Sequence, residues 1–403
     1  MIIGIDGSRA FIEGRTGTEN YSYQLIRSMS LIDTQNRYLI YLRPVNSLGV
    51  KGGEAGMGVG VRVEGWPGNF EFKVIGLPRL WTQLGLAFRT FVDPLDVLFV
   101  PSHTLPLIRR PGLKTVITVH DLGAEYLPMF HQFKQVLYLK FMTHYQIKTA
   151  TKVISVSKAT KEDLIKRVRL SKEKIEVIYE GVDKTIFKKI HNDIEKKVLD
   201  TFKLKRQGYF LFVGTVQPRK NLERLIRAFA GFLIEDERLR MNDSDKKESL
   251  VVNQQSAFKL VLVGNKGWKS DEIYKLPAEL GIKDKVRFLG RITDEELVGL
   301  YNGAMALTYP SLFEGFGLPI IEAMACECPV ITSVVSSMPE VAGDAALLVD
   351  PHKEEEITEA MLKIANNDTL RSELIEKGSV RCGSFNWKGV AHRTIDILTE
   401  IKE

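Results

Sequence analysis

Cysteine is scarce: the chain of 403 residues has only Cys326, Cys328 and Cys382, and one residue between the first two fits neither a zinc-binding nor a thioredoxin-type spacing. Reduced, buried thiols are expected. Long hydrophobic runs are missing too. No apolar stretch reaches the roughly 18 residues of a membrane-spanning helix, and Met1-Ile-Ile-Gly-Ile-Asp6 has no basic region followed by a long apolar one. A cytoplasmic protein is expected. Charge of either sign is not in excess: 56 Lys and Arg against 50 Asp and Glu give +6, which excludes a dedicated nucleic-acid binder but suits phosphate-bearing ligands or an anionic membrane surface. No internal repeat is visible. No Gly-x-Gly-x-x-Gly follows the first strand, which argues against a simple dehydrogenase.

What is present is an ordinary globular composition, 44% hydrophobic and 26% charged, on a chain long enough for two cores. Short β-branched runs alternate with amphipathic stretches in both halves, the pattern of βα units and parallel sheets. In the first half the predicted strands are Ile2 to Asp6, Tyr38 to Leu42, Val61 to Val63, Val97 to Val100, Thr115 to Val119, Val153 to Val156 and Ile175 to Ile178. In the second they are Tyr209 to Val213, Lys259 to Val263, Val286 to Leu289, Ala304 to Thr308, Val330 to Thr332 and Ala346 to Val349. The Lys-rich stretch from Asp183 to Gln207 separates them. The expected organisation is a Rossmann-like domain over 1–185, a second over 205–385, and a terminal helix over 386–403. Glu235 to Ser256 holds a polar run and is expected to be a mobile surface insertion. Leu80, Trp81, Leu84, Phe88 and Phe91, flanked by Arg79 and Arg89, read as a core helix in preference to one lying on a membrane.

In doubly wound sheets ligands sit beyond the carboxyl ends of the strands, so chemistry is sought in the loops there. After Tyr209 to Val213 comes Gly214-Thr-Val-Gln-Pro-Arg-Lys220 and then an apolar-striped helix. Arg219 and Lys220 at a helix start suit an anion such as a diphosphate. After Ala304 to Thr308, the segment from Pro310 to Ala325 contains Glu314-Gly-Phe-Gly-Leu-Pro319 and Glu322. Gly315 and Gly317 let the backbone approach a ligand, and the amides of Phe316, Gly317 and Leu318 would point at the same anion. Carboxylates repel phosphate. Glu314 and Glu322 are therefore expected on sugar and ribose hydroxyls beside it.

On these residues the chain resembles the family-4 glycosyltransferases. Glu314 and Glu322 match that family's Glu-x7-Glu motif, and Pro218-Arg-Lys-Asn221 is similar to its donor-phosphate loop; Val119-His-Asp121, Gly181-Val-Asp183 and Met338-Pro-Glu340 extend the likeness over most of the chain. The resemblance implies an α/β GT-B fold, two Rossmann-like domains facing each other across a cleft with the terminal helix crossing back to the N-terminal, acceptor-side one. It implies that Arg219 and Lys220 bind the donor diphosphate, Glu322 the ribose, Glu314 the transferred sugar, and the strand end at Arg291 and Ile292 the base. His120 would face the donor sugar, and Gly17 would bring backbone to the diphosphate. Two departures stand out: Thr215 occupies a position where many relatives carry Arg, and Glu180 one where they often carry Asn.

The implied reaction is retaining transfer of a hexose from a nucleoside diphosphate sugar, with no cofactor and no metal, because cations and helix N-termini can stabilise the leaving group. No second carboxylate is placed as a covalent nucleophile, so departure and attack on one face of the sugar is expected. Relatives with the Pro-Arg-Lys-Asn loop often act in bacterial surface polysaccharide synthesis and commonly use GDP-mannose. The expected partners are a nucleotide sugar and a saccharide or lipid-linked acceptor, with peripheral contact at the inner face of the membrane and no nucleic acid. A nucleotide-sugar epimerase and a non-catalytic nucleotide-sugar binding module are the alternatives.

Overall fold

The computed structural model describes residues 1–49, 60–77, 79–102, 104–122, 144–240 and 257–401. They form two compact units, one of Met1–Gly181 with Asn386–Glu403 and one of Val182–Phe385.

The first unit is built on a parallel sheet of β1 (Ile2–Asp6), β2 (Arg37–Leu42), β3 (Phe70–Val74), β4 (Val97–Val100), β5 (Lys114–Val119), β6 (Lys152–Ser155) and β7 (Ile175–Val177). Its order among the described residues is β3-β2-β1-β4-β5-β6-β7. Strands such as Val97-Leu-Phe-Val100 are buried along their whole length, as β-branched runs covered on both faces of a parallel sheet should be. Leu98, Val100, Ile117, Val119 and Val153 form part of one continuous core. Helix α1 (Gly17–Ile32) buries Tyr21, Leu25, Ile26 and Met29.

Two expectations for this unit are corrected. Val61 makes only an isolated antiparallel bridge to Phe72, and the strand lies instead at Phe70-Glu-Phe-Lys-Val74, whose burial alternates. The stretch near Leu80 is helical, over Trp81–Leu86 and then α2 (Ala87–Val92), yet it is not a core helix. Trp81, Leu86 and Ala87 are buried while Leu80, Leu84, Phe88 and Phe91 are exposed. The core-facing side also takes Arg89, whose guanidinium is neutralised by Asp93 at 2.6 Å.

The second unit has β8 (Tyr209–Val213), β9 (Lys259–Val263), β10 (Val286–Gly290), β11 (Ala306–Tyr309), β12 (Val330–Ser333) and β13 (Leu347–Val349), all parallel, in the order β10-β9-β8-β11-β12-β13. The order reverses between β8 and β11. That pair is the topological switch point at which ligands of such sheets bind. Helix α3 (Leu222–Arg240) continues through Glu235 to Arg240, so the expected insertion does not begin at Glu235; the rest of it, 241–256, lies outside the described residues. Among the described residues no helix is long and apolar enough to cross a membrane.

The terminal helix α6 (Trp387–Glu400) starts on Asn386, whose side chain accepts from the Gly389 N–H at 2.7 Å. It buries Trp387, Val390, Ala391 and Leu398 within the first unit. Between α3 and α6 lie α4 (Leu318–Ala325) and α5 (Met338–Ala342).

Candidate active site

At the switch point of the second unit, the loop after β8 and the loop after β11 are joined. The Leu312 N–H donates to Arg219 O at 2.9 Å, and Asn221, left-handed at φ 60°, sends its side-chain amide to Pro310 O and Pro351 O at 3.0 and 2.6 Å. Lys220 is thereby turned inward: its Nζ donates to Glu314 Oε1 at 2.5 Å and to the Tyr309 hydroxyl at 2.6 Å. Arg219 Nη1 donates to Glu314 Oε2 at 3.3 Å. Lys220 and Glu314 are both buried. Burial alone would push the Glu314 carboxyl up, but the charges of Lys220 and Arg219 outweigh it and hold the group below the usual carboxylate range. Two cations thus meet on one carboxylate, at the place where the switch-point rule puts a ligand.

The Glu314 loop is clasped from behind. Ser336 Oγ donates to Glu314 O at 2.6 Å, and Ser337 Oγ to Glu314 O and Phe316 O at 3.0 and 2.8 Å. Gly317, at φ 105°, is the N-cap of α4, a conformation that favours glycine. Leu318 opens the helix and the Phe316 ring packs on Phe385 at 5.7 Å. Further along α4, Glu322 Oε2 accepts from the Tyr301 hydroxyl at 3.0 Å. Arg291 and Ile292 follow β10, Arg291 exposed and Ile292 half-buried. The segment after β9 is tied on both sides: the Gly264 N–H donates to Gly290 O at the end of β10 at 2.8 Å, and the Gly267 N–H to Val216 O in the loop after β8 at 2.9 Å.

In the first unit the order of strands reverses at β1, and His120 follows β5. Its ring is held by protein on both edges, Nδ1 3.0 Å from Glu180 Oε1 and Nε2 3.0 Å from Pro101 O. A carboxylate and a carbonyl can only accept, so both contacts favour the doubly protonated, cationic ring. Burial pulls its pKa down, but the hydrogen bond and charge of Glu180, with the Pro101 carbonyl, outweigh that and raise it. Tyr21 packs edge-on to the ring at 4.6 Å. Gly17 opens α1 and is exposed, and a Cβ there would meet nothing within 4 Å. Among the described residues no packing demands glycine at this position.

Arg219, Lys220 and Glu314 are thus brought together, and the first strand of the second sheet ends where their loop begins. Tyr309, Tyr301, Ser336, Ser337 and Glu180 were not found from sequence; only Glu180 carried a signal, as a departure from the resembled pattern.

Comparison with known proteins identifies the family. Residues 193–381 match the family described as Glycosyl transferases group 1, and residues 17–185 match Glycosyltransferase Family 4. An O-antigen chain mannosyltransferase B of Escherichia coli is 30% identical over 284 residues, 70% of this chain and 69% of that protein. This chain belongs to the family-4 glycosyltransferases. The O-antigen chain mannosyltransferase RfbU of Salmonella typhimurium is 33% identical over 65% of this chain and 63% of its own length. Among solved structures, sucrose-phosphate synthase from Thermosynechococcus elongatus aligns with a TM-score of 0.72 at 20% identity, over 100% of this chain and 99% of that one. WaaG, a glycosyltransferase involved in lipopolysaccharide biosynthesis, gives 0.70 at 17% identity over 99% and 100%. The family-4 enzyme has the GT-B fold.

Proposed function

We propose that this glycosyltransferase moves a hexose, with mannose and GDP-mannose favoured, from a nucleoside diphosphate sugar to a saccharide or lipid-linked saccharide in cell-surface polysaccharide synthesis. The proposal includes retention of configuration, no metal requirement, and a cytoplasmic enzyme working at the inner face of the membrane. The observation that supports it best is the Arg219–Lys220–Glu314 cluster at the β8/β11 switch point. Glu314 acts as the resting counter-ion. A donor diphosphate takes its place beside Lys220 and Arg219, and the released carboxylate accepts from hydroxyls of the sugar. As the glycosidic bond breaks, negative charge grows on the diphosphate and both cations bind it more tightly, which is differential stabilisation of the transition state. Glu322 is assigned to the ribose and Arg291 and Ile292 to the base, with the amides of Phe316, Gly317 and Leu318 on the phosphates. Contacts of Gly17 with the diphosphate and of His120 with the sugar belong to the same proposal.

The donor is tested by thermal stabilisation across nucleotide sugars, because a ligand bound only by the folded state raises the unfolding midpoint. GDP-mannose should shift it most. Incubation of the best donor with and without acceptor then separates transfer from epimerisation; sugar changed without acceptor would reject the proposal. Full activity in a chelator is expected, and complete, reversible loss there would overturn the metal-free reading.

A further inference from the structure

The helical segment 81–92 shows solvent what a core helix would hide. Leu80, Leu84, Phe88 and Phe91 recur every three to four residues and are 65%, 55%, 57% and 50% exposed, so they form one stripe along the helix. Val92 widens it at 55%. The neighbouring segment 105–110 is pinned alongside: Gln83 bonds Leu105 O and the Leu107 N–H at 3.2 and 2.9 Å, and the Arg110 N–H donates to Thr90 Oγ1 at 3.0 Å. Between those anchors stands Ile108, 72% exposed. The opposite side of the helix is fixed by Trp81, Leu86 and the Arg89–Asp93 pair. The stripe is therefore a rigid surface with no freedom to fold inward.

Its charge has one sign. Neither 77–92 nor 97–120 contains an Asp or Glu, while Arg79, Arg89, Arg109, Arg110 and Lys114 fall within them; of the two carboxylates between, Asp93 is buried on Arg89 and Asp96 accepts from the Ile2 N–H at 2.8 Å. Arg109 and Arg110 are anchored on backbone carbonyls, of Pro106, Thr149 and Asp93 among others, instead of on carboxylates. Their charge is thus not neutralised by those contacts. An apolar stripe beside uniformly basic groups complements an interface whose interior is hydrocarbon and whose headgroups are negative.

We propose that the first unit docks on an anionic bilayer through this face, with Leu84, Phe88 and Phe91 entering the headgroup boundary and Arg79, Arg109, Arg110 and Lys114 meeting lipid phosphates. This goes beyond the donor chemistry and names the surface by which the membrane association included above would occur. A second copy of the chain fits less well, because like-charged basic groups would then meet.

The full chain is sedimented with vesicles of phosphatidylcholine alone and of phosphatidylcholine with phosphatidylglycerol. Binding to the anionic vesicles that weakens with salt is expected, and the double variant Leu84→Glu, Phe88→Glu should lower the bound fraction at least about tenfold, since each replacement removes apolar burial and adds like charge. Both residues are exposed, so an unchanged unfolding midpoint and unchanged stabilisation by nucleoside diphosphate should accompany the loss. Failure of nucleoside diphosphate binding in the parent would strike the donor proposal alone. Equal vesicle binding by parent and variant, absence of binding to anionic vesicles, or concentration-dependent dimerisation abolished by the variant would each overturn the membrane assignment.

Discussion

At Glu314 a single carboxylate neutralises two cations, and the consequences of altering each partner differ. On the proposed donor assignment Lys220→Ala removes a cation from the leaving diphosphate, so affinity for the free nucleoside diphosphate and turnover should both fall. Glu314→Gln leaves the cations unneutralised: affinity for the nucleoside diphosphate should hold within a few fold or rise, while turnover drops by roughly 100-fold. It also leaves Lys220 buried without its anion, at a cost of about 3–5 kcal/mol in folding stability, so the unfolding midpoint must be measured beside the kinetics. Near-normal turnover in Glu314→Gln would remove this residue from the reacting sugar. Glu322→Gln should weaken nucleoside binding chiefly, through the ribose. His120 and Glu180 make a pH prediction. The folded pKa of His120 lies above its unfolded value, so the stability this pair adds is complete below about pH 6.5 and is lost as pH rises through the folded value. Glu180→Gln should flatten that part of the stability profile and lower the His120 titration followed by NMR; an unmoved titration would mean Glu180 does not hold the ring protonated.

Between elements, the glycines distinguish structural from ligand-facing roles. Gly264 has φ 144° and a Cβ there would lie 2.1 Å from Gly214 O, so Gly264→Ala should cost at least about 1–3 kcal/mol and disorder the loop after β8. Gly17→Ala should stay within about 0.5 kcal/mol of the parent, because none of the described residues crowds that Cβ; a several-fold fall in kcat/KM without a change in midpoint would mark a ligand contact, and unaltered kinetics would remove Gly17 from the donor site. Ser337→Ala strips one hydroxyl from two carbonyls and should lower stability by about 1–3 kcal/mol. Elements of this kind differ in how far the sequence reveals them. Buried parallel strands such as Tyr209-Phe-Leu-Phe-Val213 announce themselves as unbroken apolar runs. The edge strand Phe70-Glu-Phe-Lys-Val74 does not, since only every second residue is buried and its pairing with β2 is a tertiary choice. Likewise the Glu314 and Lys220 motifs are visible separately, but their ion pair spans 94 positions. Tyr309, Ser336, Ser337 and Glu180 serve the site through packing that no local pattern encodes, and the exposed stripe of Leu80, Leu84, Phe88 and Phe91 reads as core in the sequence because periodicity gives a helix's apolar face without saying what covers it.

The whole molecule does not follow the order of its chain. Residues 386–403 belong with the first unit, and α6 buries Trp387 and Leu398 there while packing along α1. Truncation after Phe385 should therefore lower hydrogen-exchange protection in α1 and leave β8 to β13 nearly unchanged. Uniform loss across both units would contradict the division. The ends of the second unit are side by side, the Val182 N–H donating to Phe385 O at 3.1 Å, so its chain leaves where it entered. This has a consequence during synthesis. A ribosome releases the second unit complete while the first, begun earlier, still awaits its last helix. Tyr21, which meets Trp387, and the face of α1 that packs along α6 stay uncovered until α6 has been made, and a chaperone acting on the nascent chain would find its target in α1.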